Sequence, residues 1–406
     1  MKSFKNFAAG LLALTVAGAA TAQTPVLISG STAFRKSAVT AIEHILKPGY
    51  VWGGVGSAST GTSQLIFEGN LISTGAAVII ETSWTGSEGG IYNLTHSTPP
   101  GNAIFINPAS VTGLLTTGGA TLSSSVLNAS ASSADIALAD TFQASSLYKS
   151  PSLADNVIGV IPFLWIGANT NDAGITGVTH QQIKAALANL AKYALWSGTN
   201  NPSPSIDQDA VHVIGRDEDS GTRVVAFVES TYGAQTAPVQ WAPIGTAGNY
   251  TGTTFYPANT VNGVTYPAGH SGYSSGGTLE GILADLTITA DADIIGYLGL
   301  SDAKTGLAVA SPTLTPLTWE GVQFWNSSTK TSNDSLIFLG QYTFWSYEHL
   351  FVRPVPASPS SSQVATDIVA DLVTNSLTVA DAKVSGYHVN QLSVVRATDG
   401  SPVYYP

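Results

Sequence analysis

The sequence predicts an α/β fold, in which strands and helices alternate along the chain and pack in layers with mainly parallel sheets. Short apolar runs of strand length recur, and three of them are followed at once by a turn rich in Gly, Ser and Thr. A segment with helical spacing of its apolar residues follows each of these turns. The 406 residues, 44% of them hydrophobic, are enough for one large or two medium domains.

The first strand–turn–helix unit covers residues 26–46. The run VLIS at 26–29 has the length of a short buried strand, and Ser31 and Thr32 stand where a helix N-cap belongs. The apolar residues of the next segment fall on one helical face, namely Ala38, Ile42, Ile45 and Leu46. This spacing predicts a helix directly after the turn.

Two further units repeat this arrangement. In the second, a strand at 77–82 leads into a turn that contains Gly86, Ser87, Gly89 and Gly90. In the third, the strand VHVI at 211–214 leads through the charged stretch Arg-Asp-Glu-Asp into Ser220-Gly221-Thr222, which opens the next helix. Ser at such a position is a typical helix N-cap.

More strands are predicted between and after these units, at 133–140, at 157–169 and within 289–300. The strand at 133–140 ends in a carboxylate, Asp140. Residues 94–132 are rich in Gly, Ser and Thr and are only weakly periodic, so we expect a surface insertion. Residues 52–63 and 243–273 have a similar composition and predict loops.

Composition and charge exclude several classes of function. Only 10% of the residues are charged, and the net charge is −11. A protein that binds the nucleic-acid backbone needs a basic surface, which this composition does not predict. General attraction to anionic lipid is excluded for the same reason. Since there are no cysteines, there are no disulfides and no thiolate metal sites.

The first 22 residues predict a signal peptide. Lys2 and Lys5 form a basic segment, an apolar run follows, and Ala20-Thr21-Ala22 is a small-residue cleavage site. The apolar run is too short to span a bilayer, and no later segment has the pattern of a membrane span. We therefore expect cleavage after Ala22 and a soluble periplasmic or secreted protein.

The three turns have a property in common that bears on function. Each helix start presents unpaired backbone N–H groups and a partial positive charge, which favour an anion. Arg216 in the third turn adds a planar guanidinium that suits a tetrahedral oxyanion. Alternatives remain open at this point: capped helix starts are ordinary in α/β proteins, Arg216 and Glu218 can form a surface ion pair, and Asp140 can be a solvated strand end.

The loops resemble those of periplasmic phosphate-binding proteins, the type II solute-binding components of phosphate ABC importers. The Arg-x-x-x-Ser-Gly-Thr loop at 216–222 is the most specific match. ISGSTAF, TGSEGGI, ADIALAD, the segment GYSSGGTLEGILADLTITADADIIGYLGL and the terminal DGSPVYYP follow in the family's order. The resemblance spans nearly the whole chain after residue 22 and implies a two-lobed fold with the ligand in the cleft between the lobes.

The resemblance also implies which residues contact the ligand and where the lobes divide. The implied contacts are Thr32, Phe34, Ser87, Asp140, Arg216, Ser220, Gly221 and Thr222, with Glu218 holding the guanidinium of Arg216. Lobe I would hold residues 23–164 and about 304–406, and lobe II residues 165–303. The family usually has Asp and then Gly between the Arg and the Ser, whereas Glu218 and Asp219 stand here, and Arg35 is placed beside the site.

The function implied is capture of phosphate or a similar oxyanion for an ABC importer. We expect a monomer that contacts permease subunits, with no cofactor, no metal and no enzymatic activity. The alternative is a secreted or cell-surface protein with the same fold that supplies no transporter. A hydrolase is a weaker alternative: GYSSG at 272–276 matches a nucleophile elbow, but the preceding residues predict a loop where the elbow needs a buried strand.

Overall fold

The computed structural model describes residues 23–96, 101–168, 175–198, 209–286, 292–308, 314–355, 358–375, 377 and 386–406. The expected signal peptide lies outside these residues.

The strands are β1 Val26–Gly30, β2 Val51–Val55, β3 Gln64–Asn70, β4 Ala77–Ser83, β5 Ala120–Leu122, β6 Ile136–Ala139, β7 Ala154–Ala168, β8 Gly177–Val178, β9 Ala210–Ile214, β10 Trp241–Thr246, β11 Asn249–Phe255, β12 Asn259–Val261, β13 Val264–Tyr266, β14 Ala292–Gly299, β15 Leu314–Pro316, β16 Thr318–Trp319, β17 Trp325–Asn326, β18 Thr331–Ser332 and β19 Trp345–Val352. The helices are α1 Arg35–Ile45, α2 Ser87–Thr95, α3 His180–Leu187, α4 Ala194–Ser197, α5 Gly221–Glu229, α6 Gly276–Ala284, α7 Leu300–Ala308, α8 Ser335–Phe338 and α9 Ser361–Thr374.

An 11-stranded sheet forms the centre of the described part of the molecule, in the order β5-β2-β3-β4-β1-β6-β19-β7-β14-β9, with β15 also paired to β7. The α/β class is confirmed, but the expectation of mainly parallel strands is wrong. β1 runs parallel to β4 and β6, whereas β3 and β19 run antiparallel to their neighbours. The connections from β2 to β3 and from β3 to β4 are too short for a crossover helix, so these strands turn back on themselves.

The long strand β7 pairs with different strands along its two halves. Residues 154–162 pair with β19, and residues 163–168 pair with β14. β6 runs parallel to β7 and ends at the level of Val157. β9 runs antiparallel to β7 and ends at the level of Ile166. The carboxyl ends of β6 and β9 therefore face each other where β7 changes partner. The lobe boundaries given above stay a prediction.

The segment predicted as a surface insertion is partly built into the fold. β5 adds to the edge of the sheet beside β2. Four apolar side chains of the segment, those of Ile106, Val111, Leu122 and Val126, are buried in a small cluster with Ile66. The composition of the segment concealed these widely spaced anchors. The loops predicted at 52–63 and 243–273 likewise contain most of β2 and the hairpin strands β11 to β13.

Among the described residues, no helix combines the length and apolar character needed to cross a bilayer.

Candidate functional site

Asp140 lies at the centre of the predicted site, directly after β6. Ser87, the first residue of α2, donates its hydroxyl to Asp140 Oδ1, and Thr222 in the first turn of α5 donates to Oδ2 at 3.1 Å. A Cβ on Gly221 would lie 1.8 Å from Oδ1, so only glycine permits this approach. The starts of α2 and α5, which follow β4 and β9, therefore meet at one carboxylate.

Burial and two opposing influences set the protonation of this carboxylate. Asp140 is 1% exposed, and burial raises the pKa of its carboxyl group. The hydrogen bond from Ser87 and the positive charge of Arg216 act in the opposite direction and lower this pKa. Asp140 is thus a buried acceptor within the field of Arg216, and its contact with a ligand stays a prediction.

Arg216 is buried and held by the main chain. Its Nε donates to the carbonyl oxygen of Tyr273 at 3.0 Å, and its Nη2 donates to that of Ser274 at 2.9 Å. Nη2 also lies 3.3 Å from Thr32 Oγ1, so the turn after β1 and the turn after β9 touch here. These hydrogen bonds go to neutral oxygens, and the charge of the guanidinium also lowers the pKa of the nearby carboxyl groups of Asp140, Asp217 and Asp302.

The assignment of Glu218 as the partner of Arg216 is wrong. Glu218 Oε1 pairs with Arg223 Nη2 at 3.1 Å, and its Oε2 accepts from Ser271 at 2.8 Å. Arg223 lies in the first turn of α5 and also donates to the carbonyl oxygens of Arg216 and His270. The sequence offered two arginines to Glu218, and spacing alone could not choose between them.

Two of the predicted contact residues have other partners. The phenyl ring of Phe34 lies in the hydrophobic core, and its amide donates to Ser31 Oγ at 3.2 Å. Ser220 is the N-cap of α5, with its hydroxyl accepting from the amide of Arg223 at 3.2 Å. Both residues shape the loops that carry Thr32 and Thr222. The amide of Phe34 and the hydroxyl of Ser220 form hydrogen bonds within these loops.

Asp219, which the resemblance left without a role, joins the two sides of the site. Its carbonyl oxygen accepts from the amide of Glu88 at 2.9 Å in the first turn of α2. Its carboxylate accepts from Asn262 at 2.6 Å and from Asn102 at 3.2 Å. The helix start of α2 therefore directs an amide at a protein carbonyl group, contrary to the expectation that it would be aimed at an anion.

Burial raises the pKa of two carboxyl groups in this loop. It raises the pKa of Asp217 to about 7, although the positive charge of Arg216 works against the shift. It also raises the pKa of Asp219 well above its usual range, and the neighbouring Asp217 adds to that shift. Both groups border the cleft beside Arg216.

The other motifs have structural roles. No group of acidic, His or Cys side chains within the described residues could hold a metal ion. In GYSSG, Ser275 caps α6 by accepting from the amide of Thr278 at 3.1 Å, and the carbonyl oxygen of Ser274 holds Arg216. The preceding strand β13 ends at Tyr266, so the strand–turn geometry of a nucleophile elbow is not formed.

Comparison with known proteins gives similarity in structure alone. No family model matches the sequence, and no curated protein matches it. A Clostridium perfringens protein assigned as a phosphate ABC transporter substrate-binding protein, solved with bound phosphate, is 16% identical with a TM-score of 0.48, over 90% of this chain and 100% of that one. An ABC-type phosphate transport receptor from Vibrio cholerae is 12% identical with a TM-score of 0.43, over 86% of this chain and 98% of that one.

Proposed function

We propose that the protein binds phosphate or a similar tetrahedral oxyanion where the turns after β1, β4, β6 and β9 meet. One observation carries this proposal: the hydroxyl groups of Ser87 and Thr222 converge on Asp140, in the field of the buried cation Arg216. On binding, the two hydroxyls rotate to donate to ligand oxygens. Asp140 then accepts a hydrogen bond from the protonated oxygen of the ligand, and Thr32 and Arg216 contact the remaining ligand oxygens.

The biological setting proposed is that of an exported solute-binding protein. The signal-peptide pattern at 1–22 and the resemblance of the loops support delivery of the anion to an ABC importer. Binding without chemistry is proposed because the loops resemble those of solute-binding proteins. Permease and ATPase genes beside this one would support importer coupling, and their absence would favour the alternative of a secreted protein that supplies no transporter.

The experiment is a thermal-unfolding screen against phosphate, arsenate, sulfate, molybdate and phosphonates. A ligand present at a hundred times its dissociation constant should stabilise the protein by about 2.7 kcal/mol. Replacing Arg216 by Ala removes a charge-assisted contact worth about 1.5–3 kcal/mol, so affinity should fall roughly ten- to a hundredfold. Lys184→Ala is the control, because Lys184 is an exposed cation on α3. Equal binding by Arg216→Ala and the control would refute the site.

A further inference from the structure

A cleft of about 400 Å³ adjoins the proposed anion position. Thr32, whose hydroxyl contacts Arg216, lines it, and so does Ser274, whose carbonyl oxygen holds the same guanidinium. A group attached to an anion at Arg216 would therefore extend into this cleft.

The size and lining of the cleft suit more than a bare ion. Pockets for small organic ligands enclose about 300–1,000 Å³, and a tetrahedral oxyanion fills only a small part of such a volume. Most of the lining side chains are neutral hydroxyls and amides, including Gln64, Asn102 and Thr278. Such groups form hydrogen bonds with uncharged polar substituents.

Two residues that line the cleft each have a buried polar atom with no hydrogen-bond partner among the described residues. The atoms are Nε1 of Trp84 and Oδ1 of Asp217, and each residue is 5% exposed. Buried polar groups are nearly always hydrogen-bonded, because an unmade bond costs about 1–3 kcal/mol. The indole can only donate, whereas an ionised carboxylate oxygen accepts. Hydroxyl groups can serve both, since each donates and accepts.

We propose that the natural ligand is an organic phosphate, a phosphomonoester whose hydroxyl-bearing substituent lies in this cleft. The phosphoryl group would occupy the site proposed above, on which this inference rests, and would bind as the monoanion, whose remaining P–OH group donates a hydrogen bond to Asp140. Trp84 Nε1 donates to one substituent hydroxyl, and Asp217 Oδ1 accepts from another. An ammonium-bearing substituent is the main rival, because Asp217 and Asp219 both border the cleft.

Calorimetric titration of the wild-type protein with four probes tests this inference: inorganic phosphate, ethyl phosphate, glycerol 3-phosphate and phosphoethanolamine. Ethyl phosphate is the matched control for an alkyl group without hydroxyls. We expect glycerol 3-phosphate to bind roughly tenfold or more tightly than ethyl phosphate, from two hydrogen bonds of about 0.5–1.5 kcal/mol each. Trp84→Phe keeps an aromatic side chain, although a smaller one, and removes the N–H, so it should reduce this ratio by roughly threefold or more.

Two more variants complete the test. Asp217→Ala should also reduce the ratio, and its folding is checked by thermal unfolding. Trp241→Phe is the control, because Trp241 stacks on His212 and is not among the residues that line the cleft. If inorganic phosphate binds and glycerol 3-phosphate and ethyl phosphate bind with equal affinity, the subsite is overturned and the proposed anion site is retained. A preference for phosphoethanolamine would overturn the hydroxyl assignment, and no binding by any probe would overturn both proposals.

Discussion

Asp140 places a carboxylate at a proposed anion site, and this is favourable only if the ligand brings a proton. Monohydrogen phosphate carries such a proton near neutral pH, whereas sulfate does not. Sulfate would face an unpaired like charge in a buried site, which can reject an analogue strongly. We therefore expect the wild-type protein to prefer phosphate to sulfate.

The variant Asp140→Asn should narrow this preference, because an amide can donate a hydrogen bond to sulfate. Its amide oxygen can still accept from the hydroxyl of Ser87, and the hydroxyl of Thr222 can rotate to accept from the new NH2 group, so the loops should keep their positions. The measurement is competitive binding of both anions to both proteins at one pH. An unchanged ratio would mean that Asp140 only anchors the two helix starts.

Glu218 should matter for stability more than for anion binding, because its partner is Arg223. Glu218→Gln keeps an acceptor for Ser271 but leaves the buried guanidinium of Arg223 without its counter-charge. Removing one partner of a buried ion pair destabilises a protein by up to about 3–5 kcal/mol. Because Glu218→Gln keeps the hydrogen bond from Ser271, its loss of stability should be smaller than this. Chemical denaturation measures the loss. A large loss of phosphate affinity without destabilisation would contradict this assignment.

The start of α5 is the element whose position is most tightly constrained. A Cβ at Gly221 would meet Asp140 Oδ1 at 1.8 Å and Ser87 Cβ at 2.7 Å, so Gly221→Ala must displace α5 from α2. We expect phosphate affinity to fall by roughly tenfold or more, since the charge-assisted contacts at stake are worth about 1.5–3 kcal/mol. Titration of phosphate checks this.

Gly281→Ala is the matched helix variant. Gly281 is exposed on α6, and a Cβ there would meet nothing within 4 Å. This change should stabilise the protein by about 0.5–1 kcal/mol through helix propensity and leave phosphate affinity unchanged. If both variants bind phosphate equally well, the close approach of α5 to Asp140 is not needed for binding.

The strand–turn–helix units could be predicted from sequence because their signals are local. β1, β4 and β9 lie within a residue of the predicted strands, and Ser220 caps α5 as expected. Apolar spacing and capping chemistry act over a few residues, so a sequence displays them directly.

Features that depend on distant packing could not be predicted in the same way. The antiparallel course of β19 follows from its place between β6 and β7, which lie about two hundred residues earlier in the chain. Asp219 finds Asn102 and Asn262 only because the fold brings their loops together. The choice of Arg223 by Glu218 is of the same kind. Short-range spacing contains no information about such partners.

On the scale of the whole molecule, buried carboxyl groups should make stability depend on pH. Burial raises the pKa of Glu81 to about 8, and it raises the pKa values of Glu88 and Asp217 to about 7. In the unfolded chain such groups titrate near their ordinary values of about 4. Between the unfolded and the folded pKa values, the folded state therefore binds more protons than the unfolded state. Stability is lost as pH rises through the folded pKa values.

One histidine acts in the opposite direction. Burial lowers the pKa of His212 to about 4, so its contribution to stability is lost as pH falls below about 6.5. Burial also raises the pKa of Asp219 and of Glu348, so these groups act with the three carboxyl groups against one imidazole, which above pH 7 is neutral in both states. We therefore expect the free energy of unfolding to rise on acidification from pH 8 to about pH 5, with the steepest rise below about pH 6.5, where all three carboxyl groups are mostly protonated in the folded state and ionised in the unfolded state.

Glu81 allows this dependence to be traced to a residue. It lies on β4 with a 1% exposed side chain, and both its carboxylate oxygens lack a hydrogen-bond partner among the described residues. Glu81→Gln removes the charge at nearly constant volume, so it should raise stability at pH 8 and flatten the pH dependence. Glu320→Gln is the control, because Glu320 is exposed. Urea denaturation at pH 5, 6.5 and 8 measures both. If wild type and Glu81→Gln lose stability equally between pH 6.5 and pH 8, the burial of Glu81 is not what makes the fold sensitive to alkali.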